Sequence, residues 1–354
     1  MKVLFSGGGT GGHVYPAIAM ADEFSSRGYD VHFIGTKGRA EEKIVPAHGY
    51  KLSYIWISGF QRTLSISNLL FPLKLIISII QSFILILREK PDLVVGTGGY
   101  VSGPVLFVAS LLKRKTMIQE QNSYPGITTR LLSSFVDEVH IAYDDAKKHI
   151  PKAKKIINSG NPVRLLQSHK KREEILAEFG FKDQFTLAII GGSLGAKAIN
   201  QAIADCLPSL NCNVIWQTGE TTFNQFKEYQ NTHVCVKPFY KNMADIYSVS
   251  NIVVCRAGAM TLAEVARCKI PAIMIPYPYA AGNHQYFNAK SVEAIGGGIL
   301  VEENEKLKNN LKNVLIELIN NTEKYNTFLE KMGQNSQKNA TTLLVDSGVK
   351  LMSH

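Results

Sequence analysis

The sequence predicts an α/β protein of two Rossmann-like domains, whose parallel sheets face each other across a cleft. Three observations predict it. Short, unbroken apolar runs alternate with helical patterns along the whole chain, as in parallel strands covered on both faces. Twelve such runs are too many for one sheet, and 354 residues suffice for two domains. Strand-ending glycines open a helix twice in each half.

The strands of the first half read KVLFS (2–6), VHFIG (31–35), LSYIWI (52–57), DLVVG (92–96), TMIQE (116–120) and EVHIA (138–142). Those of the second half read TLAII (186–190), NVIWQ (213–217), HVCVK (233–237), NIVVC (251–255), PAIMIP (271–276) and GILVE (298–302). Helical patterns over 16–27, 103–112, 197–207, 261–268 and 284–295 separate them. The turn residues and proline of NSGNPVR (158–164) mark the boundary, giving domains 1–160 and 161–338. The stretch 339–352 reads as a last helix that packs back on the first domain.

Composition narrows the class. With 45% hydrophobic and 19% charged residues the chain is globular. The net charge of +10 favours anionic partners. The basic clusters at 111–116, 147–155 and 168–174 lack interleaved aromatic or zinc-finger motifs, so no nucleic-acid partner is expected. All five cysteines lie in the second half without metal-ligand spacing and read as reduced thiols of a cytosolic protein. Glycines cut short the first apolar run, so no signal peptide is expected.

The glycine junctions are FSGGGTGGH (5–13), GTGGYVSGP (96–104), IIGGSLGAK (189–197) and VCRAGAMTLAE (254–264). Each sets backbone N–H groups and a helix dipole at a strand's C-terminal end, where anions bind. Gly7, Gly9 and Gly12 fit the dinucleotide spacing, but the second strand ends IGTKG without the acid a ribose needs. A P-loop is excluded, because His13 and Val14 stand where Lys and Ser or Thr are required. A helix N-terminus disfavours imidazolium, so His13 is either a neutral base near pH 7 or a residue that caps the turn or touches phosphate. No DxD pair occurs, which argues against a metal chelated by paired aspartates, and no metal or other cofactor is expected. Such an enzyme would steady a departing nucleotide diphosphate with helix dipoles and backbone N–H groups. Glu264 can accept from ribose hydroxyls, or be an ordinary acid near its helix start.

Taken together, GGGTGGHVYPAIA (7–19), GGYVSGP (98–104), EQN (120–122), GNPVR (160–164), GGSLGA (191–196), CRAGAMTLAE (255–264) and NHQYFNA (283–289) resemble, in order, the MurG family of peptidoglycan N-acetylglucosaminyltransferases. The resemblance runs from the first strand to the last helix. It implies a GT-B fold and inverting transfer of GlcNAc from UDP-GlcNAc to the 4-hydroxyl of the muramoyl sugar of lipid I, giving lipid II. The donor then belongs to the second domain and the lipid-diphosphate acceptor to the first. On matching positions, the resemblance makes His13 the base and brings Thr10, Gly11, Gly12 and Asn122 to the donor sugar. It assigns Arg164 and Ser193 to the donor diphosphate, and Ala259, Met260, Thr261, Leu262, Ala263 and Glu264 to the nucleotide, with Glu264 on ribose. Gln285 reaches the GlcNAc hydroxyls. Tyr240 stands where the family often has an aliphatic residue that contacts uracil through its backbone, and Leu194 where Gln is common. Gly9, Gly98, Gly99, Tyr100, Ser102 and Glu120 make the acceptor and phosphate loops, with Glu120 next in line as base. Other cell-wall synthesis proteins are implied as partners. UDP-GlcNAc epimerases share this architecture, but have no use for the apolar segment 69–87.

That segment belongs to NLLFPLKLIISIIQSFILILREK (68–90). Its uncharged run, Leu75 to Leu87, is too short to span a bilayer. On a helix Lys74, Ser78, Gln81 and Ser82 share one stripe and the rest is apolar. It reads as a helix with part of its apolar face exposed as a membrane patch, the alternative being a buried core helix. The patch would comprise Leu75, Ile79 and Phe83, bordered by Lys74, Arg88, Lys90, Lys113, Arg114 and Lys115. It would hold the protein on the anionic cytoplasmic face of the inner membrane without crossing it.

Overall fold

The computed structural model describes residues 1–59, 69–164, 167–192, 194–334 and 339–353. They form two units, Met1–Arg164 with Lys338–His354, and Leu165–Gln337. In the first, seven parallel strands run in the order β3-β2-β1-β4-β5-β6-β7. They are β1 (Lys2–Gly7), β2 (Asp30–Gly35), β3 (Lys51–Tyr54), β4 (Leu93–Gly98), β5 (Lys115–Glu120), β6 (Glu138–Ile141) and β7 (Ile156–Asn158). Successive side chains point to opposite faces. Val3, Phe5, Phe33 and Val95 therefore meet Val14, Ile18 and Phe24 of α1 (Gly11–Ser26), while Leu4, Ile34 and Val94 lie in a second core on the other face. That second core holds Leu85 and Ile86 of α3 (Phe71–Glu89) and Val105 and Leu106 of α4 (Ser102–Leu111). A short α2 (Ala40–Ala47) follows β2. The pattern reading missed β7, whose three residues directly follow the basic stretch 147–155.

The second unit has six parallel strands in the order β10-β9-β8-β11-β12-β13. These are β8 (Thr186–Ile190), β9 (Asn213–Gln217), β10 (Val234–Lys237), β11 (Ile252–Cys255), β12 (Ala272–Met274) and β13 (Gly298–Leu300). Helix α5 (Ala259–Arg267) leaves β11. Both sheets reverse strand order beside their first strand, between β1 and β4 and between β8 and β11. Such switch points open the crevices where α/β sheets bind ligands.

The first unit extends to Arg164, beyond the boundary expected at 160. Asn161 explains this: it accepts from Gln119 Nε2 at 2.9 Å and donates to the Gln121 carbonyl at 3.0 Å, in the first unit's core. The C-terminal helix Ala340–Met352 returns to the same unit, burying Leu344 and Val345 beside Phe24. Its Ser347 hydroxyl donates to buried Glu138 at 2.6 Å. Burial raises the Glu138 pKa, but hydrogen bonds from His140, Lys155 and Ser347 outweigh it and hold the carboxyl at about 2.

Helix α3 turns its polar stripe inward. Ser78 and Ser82 are buried, and their hydroxyls donate to the carbonyls of Leu75 and Ser78 within the helix. Small, self-satisfied residues thus pack against the unit. Leu75 and Ile79 also pack on the core, so neither belongs to an exposed patch. The outward face carries Leu73, Ile76, Ile80, Phe83, Ile84 and Leu87. By length and composition α3 could cross a membrane. Its inner face is nevertheless built into the core of the first unit.

Candidate active site

At the switch point of the first sheet, β1 ends in the glycine loop and α1 begins after Thr10. His13 sits in the first turn of α1, its backbone N–H donating to the Thr10 carbonyl at 3.2 Å. Its Nδ1 lies 3.1 Å from the Gly8 carbonyl and 3.4 Å from Thr10 Oγ1. A carbonyl can only accept, so the proton is on Nδ1 and Nε2 carries the basic lone pair. The second glycine loop packs against this ring. A Cβ at Gly98 would come within 2.9 Å of His13 Cδ2, and one at Gly99 within 2.3 Å of the Gly8 oxygen. Both glycines also have positive φ, +98° and +77°, so side chains are excluded twice over.

A buried network holds the loops from behind. Thr97 Oγ1 donates to the His13 carbonyl at 2.7 Å, and Gln121 Nε2 donates to the Thr97 carbonyl at 2.9 Å. Thr97 and Gln121 lie inside quoted motifs, but the sequence reading gave neither a role. Glu41 is a second residue the sequence reading missed. Fully buried on α2, it accepts from Gly9 N at 2.9 Å, Thr36 N at 3.0 Å and Thr36 Oγ1 at 2.7 Å. A cavity of about 520 Å³ opens in front of the loops, lined by Gly9, Thr10, His13, Gly99 and Tyr100 with Arg39 and Lys74.

Several expected site residues have other places. Glu120 is buried and accepts from Asn122 N, Gly126 N and Thr129 Oγ1 at 3.0, 3.1 and 2.5 Å. It orders the loop that carries Asn122 and is enclosed as a base. Ser102 is buried and donates to the carbonyls of Ser6 and Gly98, so it braces the loop rather than facing a ligand. Arg164 pairs with Asp22 at 3.1 Å and His48 at 3.1 Å. Lys74 turns into the cavity rather than toward the outer face: Nζ bonds Ser58 Oγ at 3.0 Å and lies over Trp56. Lys113 and Arg88 are exposed, while Arg114 is half-buried.

In the second unit, residues of the two switch-point loops stand as follows. Ser193 lies outside the described residues, and Leu194 beside it is exposed. Gly258 caps α5. Of the expected nucleotide run, Ala259, Leu262 and Ala263 are buried in the core, leaving Met260, Thr261 and Glu264 with partly exposed side chains. Glu264 Oε2 accepts from Tyr247 OH at 3.2 Å. Burial pushes the Glu264 carboxyl up to about 7, against the lowering effect of that hydrogen bond. Gln285 Oε1 accepts from Tyr277 N at 2.9 Å. Arg256 ion-pairs with Glu303 and donates to the carbonyls of Ile275 and Pro276, fixing the ends of β11 and β12. The Tyr240 ring is buried, its OH donates to the Cys235 carbonyl, and its backbone N–H donates to Gln217.

The chain matches the glycosyltransferase family 28 N-terminal domain over residues 3–141 and the C-terminal domain over 186–346. A Flavobacterium psychrophilum relative is 41% identical over 99% of this chain and 98% of its own. One from Ruminiclostridium cellulolyticum is 40% identical with the same coverage. Both are named UDP-N-acetylglucosamine–N-acetylmuramyl-(pentapeptide) pyrophosphoryl-undecaprenol N-acetylglucosamine transferase. The crystal structure of Acinetobacter baumannii MurG matches with a TM-score of 0.80 and 29% identity over 99% of both chains. Two parallel-sheet domains of this kind are the GT-B fold. The chain belongs to glycosyltransferase family 28.

Proposed function

We propose that the protein transfers GlcNAc from UDP-GlcNAc to the 4-hydroxyl of the muramoyl-pentapeptide sugar on undecaprenyl diphosphate, with inversion, converting lipid I to lipid II. The family supplies the reaction class, and full-length likeness to relatives named for this transfer supports the substrates. The observation that carries the chemistry is the His13 ring held on Gly8 by Nδ1, so that Nε2 is the proton acceptor. His13 Nε2 takes the proton of the acceptor 4-hydroxyl while its oxygen attacks the anomeric carbon of GlcNAc. The bond from that carbon to the β-phosphate oxygen breaks, and UDP leaves with the electron pair. Thr10, Gly11, Gly12, Asn122 and Gln285 position the donor sugar, and the N-terminal dipole of α5 steadies the departing diphosphate. Glu264 accepts from ribose, and Tyr240 stands at the base. Arg164, which pairs with Asp22 in the first unit, and Ser193 take the donor diphosphate, as their motif positions imply.

The assay is UDP release from UDP-GlcNAc with a short-chain lipid I analogue. Release should require the acceptor. Release without it, or formation of a 2-epimer, would overturn the proposal.

The outer face of α3 supports peripheral docking on the cytoplasmic leaflet, the side that holds both substrates. Apolar burial by Ile76, Ile80 and Phe83 combines with headgroup attraction to Arg88, Lys90 and Lys113. Flotation should show binding to anionic vesicles that high salt weakens, and its loss in Ile80→Glu and Phe83→Glu. Equal binding to neutral vesicles, or none to either, would remove the electrostatic account.

A further inference from the structure

The sequence reading assigned anion binding to the first glycine loop's own N–H groups. Glu41 changes that. Its carboxylate lies under the loop, takes the Gly9 N–H, and would touch a Cβ placed on Gly8 at 2.4 Å. A carboxylate held there repels a second anion approaching the same amides. The cavity in front is lined the other way: Arg39 and Lys74 line it beside His13, and none of its lining side chains among the described residues is acidic. Arg39 is exposed, two residues before Glu41, and Tyr100 OH is buried without a hydrogen-bond partner among the described residues. Lys74 connects two environments. It points into the His13 cavity, whereas its helix neighbours Leu73 and Ile76 face outward.

We propose that Arg39 and Lys74 are the two arms that grip the diphosphate of the lipid-linked acceptor, with Glu41 a positioning residue that fixes the loop beneath them. Two cations match the two charges of a diphosphate diester, and the forked guanidinium suits adjacent phosphate oxygens. The order of groups along the acceptor then follows the protein surface: sugar at His13, diphosphate at Arg39 and Lys74, lipid along the outer face of α3. The assignment rests on the lipid-diphosphate acceptor of the proposed function.

The test uses the full chain without membranes, so that lipid headgroups cannot contribute. Arg39→Ala and Lys74→Ala should each raise the KM of a water-soluble short-chain acceptor roughly 10- to 100-fold, with the KM for UDP-GlcNAc unchanged. Arg39→Lys should recover only part of the loss. Farnesyl diphosphate, which lacks the sugar, should bind the wild type in calorimetry and fail to bind the double variant. Flotation of the double variant on anionic vesicles should stay close to wild type, separating substrate phosphate from headgroup. Glu41→Gln should lower kcat while acceptor KM changes less than in Arg39→Ala. Acceptor KM unchanged in both single alanine variants, with normal melting and a wild type that turns over, would overturn the assignment. So would farnesyl diphosphate bound equally by wild type and double variant. A wild type without acceptor turnover would instead refute the function on which it rests.

Discussion

Replacing His13 with Ala lowers kcat for acceptor-dependent UDP release by roughly 10²–10⁴-fold, the usual contribution of a positioned base. The KM for UDP-GlcNAc should move little, because His13 acts on the acceptor hydroxyl. Glu120 offers no relay, since its carboxylate is buried among Asn122, Gly126 and Thr129. A kcat surviving within a factor of a few would place the base elsewhere.

Glu264→Gln should act with opposite signs on binding and on stability. The Glu264 carboxyl is raised from 4.5 to about 7 by burial. Below pH 4.5 it is neutral folded and unfolded, and burial carries no charge penalty. As pH rises through 7 the folded protein must bury an ionised group, and the stability present at lower pH is lost. The Gln variant avoids this and should melt higher than wild type at pH 8, with little difference at pH 5. Ribose hydroxyls bond the ionised carboxylate more strongly, so wild-type affinity for UDP-GlcNAc should rise between pH 6 and 8. The variant should lose that rise and about 1–3 kcal/mol of binding at pH 8. UDP-GlcNAc suits the calorimetry because its diphosphate, esterified at both ends, does not titrate in this window. Unchanged affinity in the variant would leave Glu264 a partner of Tyr247 alone.

The parts of this molecule that sequence reading reached are those set by short-range pattern. The stretches Val3–Phe5, Leu93–Val95, Leu187–Ile190 and Ile252–Cys255 are apolar at every position because both sheet faces are covered. The glycines that follow them mark turns at C-terminal strand ends, and with them the place of His13. What escaped depends on contacts remote in sequence. Glu41 reaches Gly9 across 32 residues, and no local rule connects them. Periodicity on α3 separated a serine stripe from an apolar face, but not which one faces the core. Tertiary packing decided that, through serines that satisfy their own hydroxyls. The ion pair of Arg164 with Asp22 is likewise a contact remote in sequence that no motif shows.

The central claim is a single displacement driven by His13, and the anomeric configuration of the transferred GlcNAc tests it most directly. The donor is an α-linked diphosphate, so one attack on the anomeric carbon leaves a β-linkage. Nuclear magnetic resonance of the product from a short-chain lipid I analogue should show a β-linked GlcNAc on the muramoyl 4-oxygen. An α-linked product would contradict the account, because retention requires a second displacement or a different departure of UDP.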